Sequence, residues 1–189
     1  MPRFPDPPMF KDRPILFLDF EMTGLDVNQH EIVEIAALVV TQPDLAIINN
    51  YYTKVQPQHI QTADPDSLEV IGYTASSWQD AIPLRQALLE LSQLAPECIL
   101  AGFAIQNEWN FLLAALGREG LPHFFNHNLL EIWTLAFTKF YRDPQVTNIG
   151  LTNLSRLFNI PLERHKPDSD IRATYEIFKH LVGHQNPAG

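Results

Sequence analysis

One cysteine, Cys98, stands in 189 residues, which excludes an internal disulfide framework and any cysteine-rich zinc site. It sits in the strand-like apolar segment "CILAGF", a setting for a core residue rather than a nucleophile. No apolar run approaches the length of a membrane span, and the proline-broken start "MPRFPDPPMF" lacks the continuous apolar core of a signal peptide. These absences point to a cytoplasmic protein with no membrane association. G-x-x-x-x-G-K-[ST], G-x-S-x-G and G-x-G-x-x-G are all missing, so phosphate-loop, hydrolase-elbow and dinucleotide-binding readings lack support. Basic residues are scarce as well: 13 Lys and Arg against 22 Asp and Glu leave a net charge of −9. Broad coating of nucleic acid needs a clear basic surface. Yet Lys139, Arg142, Arg156, Arg164, Lys166, Arg172 and Lys179 all fall between 139 and 179, enough for contact over a few nucleotides.

The length fits one domain with a sizeable core. A loose arm over 1–13 and a short tail over 184–189 are expected to flank a single domain at 14–183. Strands are expected at 14–21, 31–40, 46–56 and 98–103, rich in β-branched and aromatic residues. Helical spacing predicts a short helix near Ser67–Ile71 and longer ones over 83–94, 107–117, 129–141, 150–158 and 168–182. Three consecutive strands, then helices interleaved with at least one more strand, imply an α/β layered fold with a mixed sheet.

In "PILFLDFEMTGLD" a buried-type strand ends on Asp19 and Glu21. Side chains alternate along a strand, so both carboxylates project from one side, about 7 Å apart along the chain. A D-x-E triplet arises roughly 0.7 times by chance in a chain this long, but this one closes an apolar run before a glycine turn, where open α/β sheets commonly place ligands. A strand end reaching solvent is the competing explanation. Glu108, near the start of the 107–117 helix with Asn107 as its N-cap, extends the apolar stripe of Phe111, Leu112 and Ala115; a first-turn partner for the helix dipole explains it equally well. In "RHKPDSDIRATYEIF", Asp168 is expected as N-cap and Asp170 in the first turn. Capping competes well for Asp168 but explains His165, in the loop just before, poorly. His123, His127 and Glu131 have helical metal-ligand spacing, but "LPHFFNHN" is turn-like at both ends and argues against zinc.

Asp19, Glu21, Glu108, Asp170 and His165 form a coherent set. Hard oxygen donors without cysteine select Mg²⁺ or Mn²⁺, and two such ions about 3.5–4 Å apart suit a phosphoryl displacement. Histidine titrates near neutrality and suits taking a proton from the attacking water.

The order D-x-E, then an acid on a mid-chain helix, then H-x-x-x-x-D resembles the DEDDh branch of the DnaQ-like 3′→5′ exonucleases, over roughly Pro14 to Val182. That branch includes ribonuclease T, oligoribonuclease and polymerase proofreading subunits; "DFEMTGLD" followed by "EIVEIAALVV" is locally most similar to oligoribonuclease. The resemblance implies a ribonuclease H-like fold, its central mixed sheet antiparallel over the first three strands and flanked by helices. It implies release of nucleoside 5′-monophosphates from DNA or RNA 3′ ends, on single-stranded or short nucleic acids, with two Mg²⁺ or Mn²⁺ ions. By that similarity Asp19 bridges both metals, Glu21 and Asp170 hold the nucleophile-side ion, Glu108 completes the metal site and His165 is the general base. Thr23, Gly24 and Leu25 then receive the terminal nucleotide. One departure stands out: Glu108, after "GFAIQN", occupies the place where the family usually carries aspartate. A catalytically weakened nucleic-acid-binding or scaffold protein is the alternative that this departure raises. A homodimer, the state of some relatives, is left open, and no protein partner is readable.

Overall fold

The apolar run that opens the domain becomes β1 (Ile15–Met22), the middle strand of a sheet ordered β3-β2-β1-β4-β5. β2 (Ile32–Val40) and β3 (Ile47–Lys54) pair antiparallel in succession. β4 (Ile99–Gly102) and β5 (Leu129–Glu131) add parallel strands on the other side of β1. The sheet is therefore mixed and antiparallel over its first three strands, as expected. This computed structural model describes residues 9–94 and 96–183. The tail expected at 184–189 and the first eight residues of the arm lie outside the described residues. The rest of the arm contributes a single 3₁₀ turn at Phe10–Asp12.

Helices cover both faces: α1 (Pro65–Ile71), α2 (Leu84–Leu94), α3 (Gln106–Glu119), α4 (Ile132–Phe140), α5 (Leu151–Leu157) and α6 (Pro167–Leu181). β2, buried at all nine positions, reads as a nearly unbroken apolar run because neither of its faces meets water. The period of two along β1 sorts its side chains between two cores. Leu16, Leu18 and Phe20 pack with Leu88, Leu91, Phe111 and Leu112 from α2 and α3. Ile15 and Phe17 pack on the opposite face with Ile132, Leu154, Ile171 and Phe178 from α4, α5 and α6. Phe17 meets the rings of Tyr175 and Phe178 at 5.7 and 5.6 Å. Cys98 is fully buried in the first of these cores, and burial pushes its thiol up to about 12, so it is inert packing.

Three details differ from the sequence expectation. The helix expected over 129–141 is split: 129–131 is β5, and α4 begins at Ile132. Asn107 is not an N-cap; α3 starts one residue earlier, behind Ile105, whose side chain makes no cap bond. Asp168 does not cap α6 either. The helix opens with Pro167, which has no N–H to satisfy, and Asp168 pairs instead with Arg172 at 3.1 Å on the surface.

Candidate active site

The alternation that puts Ile15 and Phe17 under α6 carries on to Asp19 and Glu21, which therefore leave the same face of β1. α6 packs across that face, and its first turn brings Asp170 to them. One carboxylate oxygen from each of Asp19, Glu21 and Asp170 lies within 4.8 Å of the others, the one such group of metal-ligating side chains among the described residues. The three come from the carboxyl end of a strand and the amino end of a helix, 149 to 151 residues apart in sequence.

Three close acids perturb one another. Burial, then the charges of Glu108, Asp170 and Glu21, push Asp19 well above the usual carboxylate range, against the pull of Arg164. Burial, Glu34 and Asp170 raise Glu21 to about 7, again opposed by Arg164. Asp170, 7% exposed, is raised by burial, while the His165 N–H and the Arg164 charge act in the opposite direction. Asp170 Oδ1 and Glu108 Oε2 are buried without a hydrogen-bond partner. Buried carboxylate oxygens are normally paired, and an all-oxygen anionic set suits a hard divalent cation. The residues present fit such an ion.

Glu108 belongs to the set by electrostatics more than by contact. It lies outside the group within 4.8 Å, yet it is the strongest of the charges acting on Asp19. Burial raises its own carboxyl to about 8, with Glu131 and Glu21 adding to the shift, and only 6% of the residue is exposed. Its position depends on the turn between β4 and α3. Gly102 permits close packing there: a Cβ would meet Leu18 O at 3.1 Å and the Ile105 side chain at 2.9 Å. The turn is then held by Glu131. Its carboxylate accepts the N–H groups of Ala104 and Ile105 ahead of α3, and that of Trp133 in the first turn of α4, at 2.9–3.0 Å. Glu131 is thus a shared cap for two helices, not a zinc ligand, and His123 instead packs edge-on against Trp109.

His165 stands in the loop before α6 in a left-handed conformation, φ 61°. Its N–H donates to Asp170 Oδ2 at 3.1 Å, so the loop is tied to the acid cluster while the side chain stays exposed. It borders a groove of about 710 Å³ shared with Glu34, Tyr52, Arg164 and Asp168. Arg164, held by a 2.9 Å bond to Thr152 Oγ1, is the cation whose charge reaches Asp19, Glu21 and Asp170. Glu34 lies directly across from Glu21 in the β1–β2 register, and accepts the Tyr52 hydroxyl at 2.9 Å.

Thr23 to Leu25 close the other side. Thr23 is buried and exchanges two 2.9 Å bonds with the Glu31 backbone. Gly24, φ 154°, packs so tightly on the His30 ring that a Cβ would lie within 2.6 Å of three ring atoms. Leu25, 84% exposed, joins Glu21, Met22 and Val70 around a groove of about 220 Å³. From the sequence, Arg164 has only a place in the basic run, Glu131 only that of a discounted zinc ligand, and Glu34 and Tyr52 no role. Glu34 alone had a local signal, an acid inside a strand of apolar residues.

An exonuclease family model of the RNase T type matches residues 16–178. Among curated proteins, the chain is 24% identical over 181 residues to the PolC-type DNA polymerase III of Thermotoga maritima, covering 94% of this chain and 12% of the polymerase. It is 26% identical over 187 residues to the oligoribonuclease of Coxiella burnetii, covering 93% of this chain and 96% of that protein. Among solved structures, the zinc-ion-bound complex of E. coli exonuclease I with single-stranded DNA superposes with a TM-score of 0.79 at 14% identity, over 92% of this chain and 41% of that one. That likeness shows a shared ribonuclease H-like fold. The chain thus spans about an eighth of the polymerase relatives and nearly all of the oligoribonuclease.

Proposed function

The chain belongs to the DnaQ-like 3′→5′ exonuclease family, and from that membership we propose that it releases nucleoside 5′-monophosphates stepwise from the 3′ ends of single-stranded or short nucleic acids. The observation that carries the reading is the convergence of Asp19, Glu21 and Asp170 within 4.8 Å beside buried, unpartnered oxygens of Asp170 and Glu108. Asp19, Glu21 and Asp170 would hold divalent cations, Mg²⁺ or Mn²⁺, with Glu108 supporting the site from the opposite helix. When bound, such ions supply charge neutralisation for the phosphoryl group and acidify the attacking water.

The chain's own groups account for the rest. His165 takes the proton of the attacking water; the bond from its backbone to Asp170 Oδ2 keeps the base beside the acids as the strand enters. Arg164 offsets part of the repulsion among the carboxylates and meets the incoming phosphate at the groove mouth. Buried Thr23 fixes the turn that presents Gly24 and Leu25, so that the terminal base packs against Leu25 and the groove it lines, and chain ends are favoured over internal positions.

Glu108 lies outside the close group, which supports a second reading: a fold retained for binding, with weakened catalysis. A 3′-labelled oligonucleotide incubated with Mg²⁺, with Mn²⁺ and with chelator separates the two. Mononucleotide release that depends on metal and is abolished by a 3′ block supports the exonuclease. Comparable cleavage of a circular single strand refutes 3′-end chemistry, and strand binding without turnover in either metal favours the second reading.

A further inference from the structure

The helix that follows Glu131 carries a feature the acid site does not use. Trp133, Phe137 and Tyr141 recur every fourth residue, so they line one face of α4 and its C-cap. Helical amphipathicity would bury such a stripe. Here it is the adjoining face, with Ile132 and Ala136, that is buried, while Trp133, Phe137 and Tyr141 are 44%, 44% and 71% exposed. The rings are ordered against one another: Trp133 and Phe137 stack with centroids 5.4 Å apart and planes 17° apart, and Phe137 meets Tyr141 at 5.4 Å and 53°. They form one wall of a groove of about 390 Å³ whose other wall includes Thr147 and Ile149.

We propose that this aromatic ladder is a stacking platform for the unpaired bases of the strand whose 3′ end occupies the acid site. The inference rests on the exonuclease reading and extends it by assigning where the rest of the strand lies. Continuity with the site is the first argument. The Trp133 backbone N–H is bound to the Glu131 carboxylate that also holds the turn ahead of Glu108, so the ladder starts on the helix whose amino end is fixed to that turn. From there it runs about 12 Å along the helix at 1.5 Å per residue. Charge is the second. Arg142, exposed directly after Tyr141, is the cation at the end of the ladder; Lys139 is turned away, its ammonium bound to the His180 and Leu181 carbonyls, and Asp143 is the acid that lines the groove. Size is the third. The exposed parts of three rings amount to about 300–400 Å², well short of the roughly 800 Å² per partner of a stable protein interface. Base stacking requires no more than ring faces and gives affinity without sequence choice.

The test compares the wild type with a Phe137→Ala/Tyr141→Ala variant and a ring-preserving Phe137→Tyr/Tyr141→Phe variant. The substituted side chains are exposed, so folding is checked by thermal melts of all three. Probes are fluorescently labelled oligothymidylates of three and twelve nucleotides, with phosphorothioate linkages that resist hydrolysis, titrated in Mg²⁺ while tryptophan emission is followed in a Trp78→Phe/Trp109→Phe background that leaves Trp133 as the one emitter. The wild type should bind the twelve-mer more tightly than the three-mer and show quenching of Trp133. The alanine variant should lose about 5- to 100-fold in affinity for the twelve-mer, with little change for the three-mer, and the ring-preserving variant should keep wild-type binding. Equal twelve-mer affinity in wild type and alanine variant overturns the platform. So does a loss of self-association in the alanine variant with strand binding intact, which would assign the ladder to a second copy of the chain. Binding is measured without turnover, so failure of the platform remains distinguishable from absence of exonuclease activity on unmodified strands.

Discussion

Exchanging Glu108 for glutamine separates the electrostatic strain of the site from its shape. Burial, reinforced by Glu131 and Glu21, raises this carboxyl from 4.5 to about 8. In the absence of metal the folded protein therefore keeps a proton that the unfolded chain gives up above pH 4.5. Because the folded state binds more protons in that window, stability is full below about pH 4.5 and falls as the pH climbs toward 8. A tenfold change in proton affinity corresponds to about 1.4 kcal/mol, which after local relaxation amounts to about 2–4 kcal/mol from this one group. Glutamine has nearly the same shape and does not titrate. In EDTA, Glu108→Gln should thus melt close to wild type at about pH 5 and above it at pH 8. At roughly 2–4 °C per kcal/mol for a chain of this size, the gain is about 5–15 °C. Added Mn²⁺ should restore the wild type at pH 8 and do much less for the variant. Thermal melts followed by circular dichroism across this pH range give the answer. Parallel profiles for the two proteins in EDTA, or a less stable variant at pH 8, would refute the idea of an uncompensated buried acid.

Asp19→Asn should abolish nuclease turnover with the fold intact, and the metal-free variant should melt above wild type because it relieves the repulsion from Glu108, Asp170 and Glu21; residual turnover in excess chelator counts against the metal reading. His165→Ala should cost roughly 10²–10⁴ in rate with little change in metal affinity. Wild-type turnover at pH 7 in that variant assigns the base elsewhere. Glu131→Ala leaves the N–H groups of Ala104, Ile105 and Trp133 without their acceptor and should cost about 1–3 kcal/mol by urea denaturation. Unchanged stability would mean water replaces the carboxylate without loss.

The parts of this site that were readable in the sequence are those fixed by local periodicity. The apolar run of β1 and its period of two announce that Asp19 and Glu21 share a face, while the stripe on α3 leaves Glu108 balanced between turning inward, as it does, and serving the helix dipole. Proline and apolar spacing likewise reveal α6 and place Asp170 in its first turn. What escaped depends on register or on pieces too short to show a period. Glu34 meets Glu21 only because β1 and β2 pair in one of several registers, and Tyr52 reaches Glu34 only because β3 pairs in turn. β5 has three residues, half-buried at the edge of the sheet, so its leucines merged with the helical pattern of α4. Spacing alone offers Glu131 as a zinc ligand that the turn-like "LPHFFNHN" argues against, and its place at the strand-to-helix junction makes it a cap. Arg164 could be counted as basic, but nothing local says that its loop folds back over the carboxylates.

The Glu131 carboxylate also bears on how this protein can vary. One side chain carries donors from two segments, 104–105 and 133, that are otherwise far apart in the chain. Substitutions around the start of α3 and around the start of α4 are therefore not independent trials. A change that shifts either segment alters the hydrogen bonds available to the other, and paired changes should depart from additivity, as expected of residues sharing a partner. The position of Glu108 and the direction of the aromatic ladder are thereby inherited together: a lineage that moves one must re-fit the other.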